Sequence, residues 1–224
     1  MKKLQFILTL ILLLTSTVLM AQSKIDIKLF EAVDKGNLHM IQRYVERGAD
    51  INVTDRYENT PLYYAIVHNK INVAKALIAQ GADVNHINKD NNTPLSAAVL
   101  NDNYEAVAML MDQNADPYFI SEKGQTALYL AAVKGNYNAA IALISSGVEV
   151  QSDTKGVISP LMVAASRGHD KIVRILLSNG ADMTTNLNNN EVLAIAKERG
   201  HTNVVSVIVA YNHLMTSLTS NDVN

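Results

Sequence analysis

Apolar residues recur along the chain in short stretches with helical spacing, and polar turns separate these stretches. In one of them Leu62, Ala65 and Ile66 fall on the same helix face, because an α-helix advances about 100° per residue. A polar segment at 68–70 follows, and the apolar positions within 73–78 then resume the same spacing. The pattern predicts two short helices joined by a tight turn.

The helix pair returns with a fixed period of 33 residues. Each first helix is expected to begin after a Thr or Ser whose hydroxyl caps the first turn, and Pro suits the position that follows. Each second helix is expected to end at a Gly or Asn in a left-handed conformation. A period of this length is typical of stacked supersecondary units. The capping positions are Thr60, Thr93, Thr126 and Ser159, and the helix-ending positions are Gly48, Gly81, Asn114, Gly147 and Gly180.

The period divides most of the chain into six units, the two end units being less regular than the others. The leucines that follow the caps are expected to line one continuous interior: Leu62, Leu95, Leu128 and Leu161. Residues 212–224 are polar and patternless, and we predict a mobile tail there. The predicted units are an N-terminal capping repeat at 22–53, repeats at 54–86, 87–119, 120–152 and 153–186, and a C-terminal capping repeat at 187–211.

The recurring motif resembles the ankyrin repeat family. It runs Thr-Pro-Leu-x-x-Ala, then Gly-His or Gly-Asn, then Val-x-x-Leu-Leu and Gly-Ala-Asp-x-Asn, over nearly all of 26–210. The resemblance implies an all-α solenoid of about six helix-turn-helix units joined by β-hairpin-like turns. The family usually has His after Thr-Pro-Leu, and its hydrogen bond to the Thr is expected to be lost here. The positions concerned hold Tyr63, Ser96, Tyr129 and Met162.

Composition and charge narrow the classes of partner. Aromatic residues make up 5% of the 224 residues and Trp is absent, so a core of small aliphatic side chains suits thin, closely stacked helices. The formal net charge of −2 gives no excess of positive charge for nucleic acid or an anionic membrane surface. The absence of Cys excludes disulfides and thiolate chemistry.

The amino terminus has the pattern of a secretory signal peptide. Lys2 and Lys3 precede an apolar run over 4–20, and Ala21 offers a cleavage site. We therefore predict a signal peptide at 1–21 and a bacterial protein that is periplasmic or secreted. The alternative is a retained membrane anchor, because the run nearly reaches the lower limit of ~17 residues for a spanning helix.

Sequence patterns of catalytic and metal sites are missing. The histidines form no His-Glu-x-x-His pair, and neither a Gly-x-Ser-x-Gly nor a phosphate-binding loop motif occurs. Residues 85–92 are rich in Asn and Asp, yet they lack the Gly and final Glu of a calcium loop. His169 and His201 occupy equivalent repeat positions and are interpreted as turn residues. We expect a non-enzymatic protein without cofactor or metal, an enzyme with an unrecognised site being the alternative.

The resemblance implies that partners dock on the turn tips and on the exposed inner, concave face of the first helices. The corresponding tip positions are Arg56, Tyr57, Asn59, Lys89, Asp90, Asn92, Glu122, Lys123, Gln125, Lys155 and Ile158. The corresponding helix positions are Val67, His68, Leu100, Asn101, Val133, Lys134, Ser166 and Arg167.

Helix geometry independently supports a stripe of apolar contacts. Val67 lies five residues after Leu62 and so points about 140° away from that core residue. Val67, Leu100 and Val133 would then form an apolar stripe with a polar edge, unless they pack against neighbouring turns. Further candidate contacts, with gap filling as the alternative for the last two, are Tyr57, Tyr118 and Phe119.

We expect the chain to be a monomer that binds another protein, and neither nucleic acid nor, once the signal is cleaved, a membrane. Exported ankyrin proteins suggest two roles, an inhibitor or immunity partner of a toxic effector and a helper of a periplasmic enzyme, as in oxidative-stress defence. The residues do not separate these roles, and the first is slightly favoured. A membrane-tethered scaffold is the third hypothesis.

Overall fold

The computed structural model describes residues 24–151, 159–183 and 191–221. The regular elements in these ranges are twelve α-helices that form six pairs, which confirms the predicted all-α class. Helix α1 covers 24–35. The others are α2 (Leu38–Glu46), α3 (Pro61–Val67), α4 (Ile71–Ala79), α5 (Pro94–Leu100), α6 (Tyr104–Asp112), α7 (Ala127–Lys134), α8 (Tyr137–Ser145), α9 (Pro160–Arg167), α10 (Asp170–Ser178), α11 (Glu191–Glu198) and α12 (Thr202–Asn221).

The chain forms two compact units, one ending at Asp90 and the other starting at Asn91. The first unit contains α1 to α4, with α4 packing against both α3 and α2. Its interior is made of side chains that the periodic pattern assigns to the core. The largest fully buried ones are Leu29, Ile41, Leu62, Ile66 and Leu77.

The second unit is a stack of helix pairs. Each first helix contacts the next, in the order α5, α7, α9 and α11, while α8 contacts α6 and α10, and α10 also contacts α12. Leu95, Leu128 and Leu161 are buried in this stack, so the predicted leucine line holds within the unit. Burying a side chain of this size contributes about 1.5–3 kcal/mol, which explains why the pattern of leucines sets the register of the stack.

The first helices begin at the predicted caps. Thr93 Oγ1 accepts a hydrogen bond from the Ser96 amide at 3.1 Å, and Ser96 Oγ accepts one from the Thr93 amide at 2.9 Å. Thr60 Oγ1 accepts from the Tyr63 amide at 3.2 Å in the same way. A cap of this kind stabilises a helix by about 1 kcal/mol. The Thr hydroxyl therefore keeps a structural role at repeats that lack the family's usual His.

The helix-ending positions also follow the prediction. Asn114, which stands where the other units have Gly, has a φ of 61°, and Gly81 has a φ of 90°. Asn reaches this left-handed region more easily than other side chains do, because its short amide can hydrogen-bond locally. The substitution of Asn for Gly leaves the repeat geometry intact.

The carboxyl-terminal helix is longer than predicted. We expected the last repeat to end at Tyr211 with a tail beyond it, whereas α12 continues to Asn221. Polar composition suggested a tail, yet 202–221 contains neither Gly nor Pro, so no strong stop signal is present. The Thr216 hydroxyl donates a hydrogen bond to the Asn212 carbonyl oxygen at 2.7 Å, one helical turn earlier in α12.

The predicted signal peptide, 1–21, lies outside the described residues. Of the helices in the described ranges, none combines the length and the apolar character that a membrane crossing requires.

Candidate functional site

The turn tip of the first unit carries exposed side chains that are held in place. The Arg56 guanidinium lies over the ring of Tyr57, 4.6 Å from its centroid, and both side chains are exposed. Lys89 Nζ donates to the Arg56 carbonyl oxygen at 2.7 Å and lies 3.6 Å from the Glu58 carboxylate. These contacts order the tip while leaving the Tyr57 ring open to a partner.

Asn59, another predicted tip contact, is used within the turn itself. Its Nδ2 donates to Asp55 Oδ2 at 3.0 Å, and its Oδ1 accepts from Asn88 Nδ2 at 2.7 Å. Burial raises the pKa of Asp55, but the hydrogen bonds from Asn59 and Tyr57 outweigh it and bring the pKa below 3.8. Asn59 therefore shapes the tip, whereas the side chain of the neighbouring candidate Asp90 is exposed.

The helix end of the first unit contains a cluster of polar and aromatic side chains. The His68 ring stacks on Tyr64 with centroids 3.9 Å apart, and the Tyr64 hydroxyl donates to Asp34 Oδ1 at 2.6 Å. Lys70 Nζ donates to the Asp34 carbonyl oxygen. The hydrogen bond from Tyr64, helped by the Lys70 charge, lowers the pKa of Asp34 below 3.8. Beside this cluster Val67 is 41% exposed.

The turn tip of the second unit borders a small cleft. Glu122 and Lys123 are exposed, and the Glu122 amide donates to Asn91 Oδ1 at 2.8 Å. The predicted contacts Asn92 and Gln125 are half-buried. The cleft is lined by both of them together with Ser96, Phe119 and Leu130. Phe119 is half-buried in the lining of this cleft, whereas Tyr118 is 53% exposed.

The helix ends of the second unit present part of the predicted apolar stripe. Leu100 is 41% exposed at the end of α5, and Asn101 beside it is also exposed. Val133, the corresponding residue of α7, is half-buried, so packing accounts for part of its surface. Leu100 thus lies away from the core, as helix geometry predicts, but that geometry did not predict how far Val133 is covered.

Side chains of each following repeat hold these helix ends. Asn136 Nδ2 donates to the Val99 carbonyl oxygen at 2.7 Å and lies 3.3 Å from that of Leu100. His169 Nε2 binds the Val133 carbonyl oxygen at 3.3 Å, and His201 Nε2 binds that of Ser166 at 3.1 Å. Because a carbonyl oxygen accepts, Nε2 of each imidazole carries the hydrogen. The two histidines therefore serve the turns, as their repeat positions predicted.

Two exposed aromatic residues at these turns were missed by the sequence reasoning. Tyr104 is 48% exposed at the start of α6, and Tyr137 is 36% exposed at the start of α8. Lys171 Nζ lies 6.0 Å from the centroid of the Tyr137 ring. Their 33-residue spacing was the available signal, since an aromatic side chain at the same polar turn of two repeats has no place in either core.

The remaining candidates at the helix ends are charged or polar. Lys134 and Arg167 are exposed at the last positions of α7 and α9. Ser166 is half-buried, and its hydroxyl donates to the Val163 carbonyl oxygen at 3.1 Å. The other two candidates, Lys155 and Ile158, lie outside the described residues.

The described residues offer no group of His, Cys, Asp or Glu that could hold a metal ion. The pKa of Tyr63 is raised by burial, and the pKa of Tyr64 is raised by its hydrogen bond to Asp34. Like the shifts at Asp34 and Asp55, these arise from contacts that stabilise turns and helix ends.

The chain is similar to known proteins over most of its length. A family model described as ankyrin repeats, three copies, matches residues 29–121, 88–154, 114–187 and 161–222. Among solved structures, the human ASB11 ankyrin repeat domain is 22% identical, covers 82% of each chain and has a TM-score of 0.69. At this identity the similarity concerns the fold. No curated protein sequence matches the chain.

Proposed function

Because the chain belongs to the ankyrin repeat family, we propose that it is a non-catalytic module that binds a partner protein. Ankyrin repeat domains are generally protein–protein interaction modules and are typically without catalytic activity. The finer proposal is that Leu100 and the neighbouring helix-turn residues of the second unit form the central contact.

The exposure of Leu100 beside Tyr104 is the observation that carries this proposal. Both side chains are more than two-fifths exposed at the turn between α5 and α6. Tyrosine and aliphatic anchors surrounded by polar groups are typical of the centre of a protein interface. The hydrogen bonds from Asn136 to the end of α5 hold the backbone in place, which reduces the entropy lost on binding.

The exposed turn tips would add contacts at the periphery. In the second unit these are Glu122 and Lys123. A polar rim of this kind adds more to specificity and association rate than to affinity.

Binding can be tested by affinity capture from an extract of the source cells. We expect Leu100→Asp to lose the proteins that the parent chain retains, because a carboxylate would be placed in an apolar contact. Leu214→Asp is the matched control, since Leu214 is 56% exposed on α12 of the same compact unit. Equal recovery of the same proteins by both variants would reject Leu100 as the contact, and circular dichroism would verify that both variants fold.

We also propose that the protein acts outside the cytoplasm. The support is the basic Lys2-Lys3 start followed by the apolar run at 4–20 and by Ala21. Mass spectrometry of the mature chain should find Gln22 as its first residue. A retained 4–20 segment would instead favour the membrane-tethered scaffold.

Within that setting we propose inhibition of a toxic effector, with assistance to a periplasmic enzyme as the alternative. The support is the family's binding role together with the predicted export. Once a partner is captured, its activity distinguishes the two roles. Loss of that activity on addition of the purified chain supports inhibition, and a gain in activity or in survival of the enzyme under stress supports assistance.

A further inference from the structure

A basic residue occupies the same repeat position at three successive helix ends of the second unit. Lys134, Arg167 and Arg199 are all exposed, and each comes directly before a glycine with a left-handed backbone. Their sequence separations are 33 and 32 residues, the last repeat being one residue shorter. We refer to these three residues as the basic column.

Contacts between repeats bring the members of the basic column to one edge of the unit. His169 binds the carbonyl oxygen of Val133, the neighbour of Lys134. Both His201 Nε2 and Arg199 Nη1 reach the carbonyl oxygen of Ser166, the neighbour of Arg167, at 3.1 and 3.4 Å. Since α9 also packs between α7 and α11, the three basic groups lie along adjacent helix ends.

The charges of the basic column are not balanced within the described part of the chain. The side chains of Lys134 and Arg167 make no hydrogen bond or ion pair with any residue that the structure describes. The equivalent ranges 133–138, 166–171 and 198–203 carry four Lys or Arg residues and two acidic residues, a net charge of +2, whereas the whole chain has −2. The acidic group of the preceding turn, the Asp102 carboxylate, is used in contacts between repeats. It accepts hydrogen bonds from the Ala139 amide at 2.9 Å and from Asn138 Nδ2 at 3.1 Å.

The helix dipole offers a structural reason for part of this pattern. A cation in the last turn of a helix is favourable wherever the helix lies. That effect does not account for the exposed Leu100, Tyr104 and Tyr137 at the adjoining turns, nor for Lys171 beside the Tyr137 ring. Apolar and aromatic groups therefore adjoin a set of cations, and a partner that satisfies both must be acidic and apolar together.

We propose that this edge binds an acidic segment of the partner protein, in which Asp or Glu side chains meet the basic column and an apolar side chain meets Leu100 and Tyr104. This inference rests on the proposed function and names the chemistry of its partner. Arg167 and Arg199 suit carboxylates because a guanidinium can donate two parallel hydrogen bonds to one of them. A protein segment is favoured over nucleic acid, because the net charge of the whole chain is −2 and so offers no general attraction for a polyanion.

The test uses a random peptide library displayed on phage and selected on the purified chain. We expect the enriched peptides to combine Asp or Glu residues with an aliphatic or aromatic residue. Lys134→Glu/Arg167→Glu should weaken their binding by about tenfold or more, measured by fluorescence anisotropy. Binding to the parent chain should also weaken as salt rises from ~50 to ~500 mM, because exposed charges become screened.

The matched control is Arg43→Glu/Arg174→Glu, which makes the same change of charge at exposed residues of α2 and α10. It should leave peptide binding within about twofold of the parent, since long-range charge effects are weak at physiological salt. An equal loss in both double variants, or equal binding of acidic peptides to the Lys134→Glu/Arg167→Glu variant and the parent chain, would overturn the proposal.

The remaining outcomes separate this inference from the proposed function. Apolar peptides that depend on Leu100 but not on the basic column would overturn the acidic segment and leave protein binding intact. A 20-nucleotide single-stranded DNA bound as tightly as the peptides would indicate a general polyanion site and overturn it too. If no peptide is enriched and Leu100→Asp captures the same proteins as the parent, both proposals fail.

Discussion

The imidazole ring of His201 lies against Gly168, one repeat earlier in the chain. A Cβ atom built on Gly168 would stand 2.7 Å from Nδ1 of His201, while Nε2 of the same ring binds the Ser166 carbonyl oxygen. His169 has the same relationship to Gly135, again at 2.7 Å. Each glycine therefore ends a helix and also leaves room for the histidine that joins the next repeat to it.

Gly168→Ala is expected to destabilise the protein more than the same change at another helix end. Forcing Ala into the left-handed backbone costs about 1–2 kcal/mol, and displacing the His201 ring should add about 1 kcal/mol or more. Gly180→Ala is the control, because Gly180 has a similar φ of +84° and no atom within 4 Å of an added Cβ. Urea denaturation measures both losses, and equal losses would mean that the His201 ring moves without cost.

Thr93→Ala should lower the free energy of unfolding by about 1 kcal/mol, because it removes the acceptor for the Ser96 amide at the start of α5. Thr93→Ser keeps that acceptor and should retain most of the stability. Thr54→Ala, at an exposed position outside the helices, should change the unfolding midpoint little. Thermal unfolding followed by circular dichroism ranks the three variants, and a Thr93→Ala midpoint equal to that of Thr54→Ala would contradict the capping role.

Tyr64→Phe should raise the pKa of Asp34 toward 3.8, because the Tyr64 hydroxyl is the main group that lowers it. Since this pKa is lower in the folded protein than in the unfolded chain, the stabilisation is present above about pH 4. It is lost as the pH falls through the folded-state pKa, so parent and variant should differ most at neutral pH and approach each other in acid.

An NMR titration of the Asp34 carboxyl group checks the pKa directly, and denaturation at several pH values checks the linked stability. An unchanged Asp34 pKa in Tyr64→Phe would show that another group lowers it.

Tyr104→Ala should weaken partner binding by about tenfold, as is usual for a tyrosine at the centre of an interface. Tyr118→Ala is the comparison, because Tyr118 is equally exposed but lies at the turn tip, where its hydroxyl accepts from the Glu149 amide at 3.3 Å. We expect less than about threefold weakening there, as for a peripheral contact. Calorimetry measures the affinity of each variant for the captured partner. A larger loss for Tyr118→Ala than for Tyr104→Ala would place the main contact at the turn tips and not at the helix turns.

Much of the fold could be predicted from the chain because its signals are local. The hydroxyl cap of Thr93 involves residues three positions apart, the left-handed backbone of Asn114 belongs to one residue, and the 33-residue period is visible directly. The exposure of Leu100 also followed from helix geometry alone. The cap, the left-handed residue and the exposed helix face depend only on residues within about one helical turn, and these can be read directly from the sequence.

The candidate site was less predictable, because it depends on contacts between residues one repeat apart. Those contacts decide which side chains are used within the fold and which stay exposed. Asn59 and Tyr57 were both predicted as contacts at the turn tip. In the folded chain the Asn59 side chain pairs with Asn88, whereas the Tyr57 ring stays exposed. The partial cover over Val133 was likewise invisible in its own helix.

The repeat, the helix caps and the residues of the core could all be predicted from the chain's own pattern, because hydrophobic spacing and backbone preference act over short distances. The folded structure was needed to show that the His201 ring occupies the space of a side chain at Gly168 and that three cations share one edge. It also decided that α12 runs on to Asn221. The physical reason is that these features arise from the register between successive helix pairs, or from a helix that continues where polar composition suggested an end.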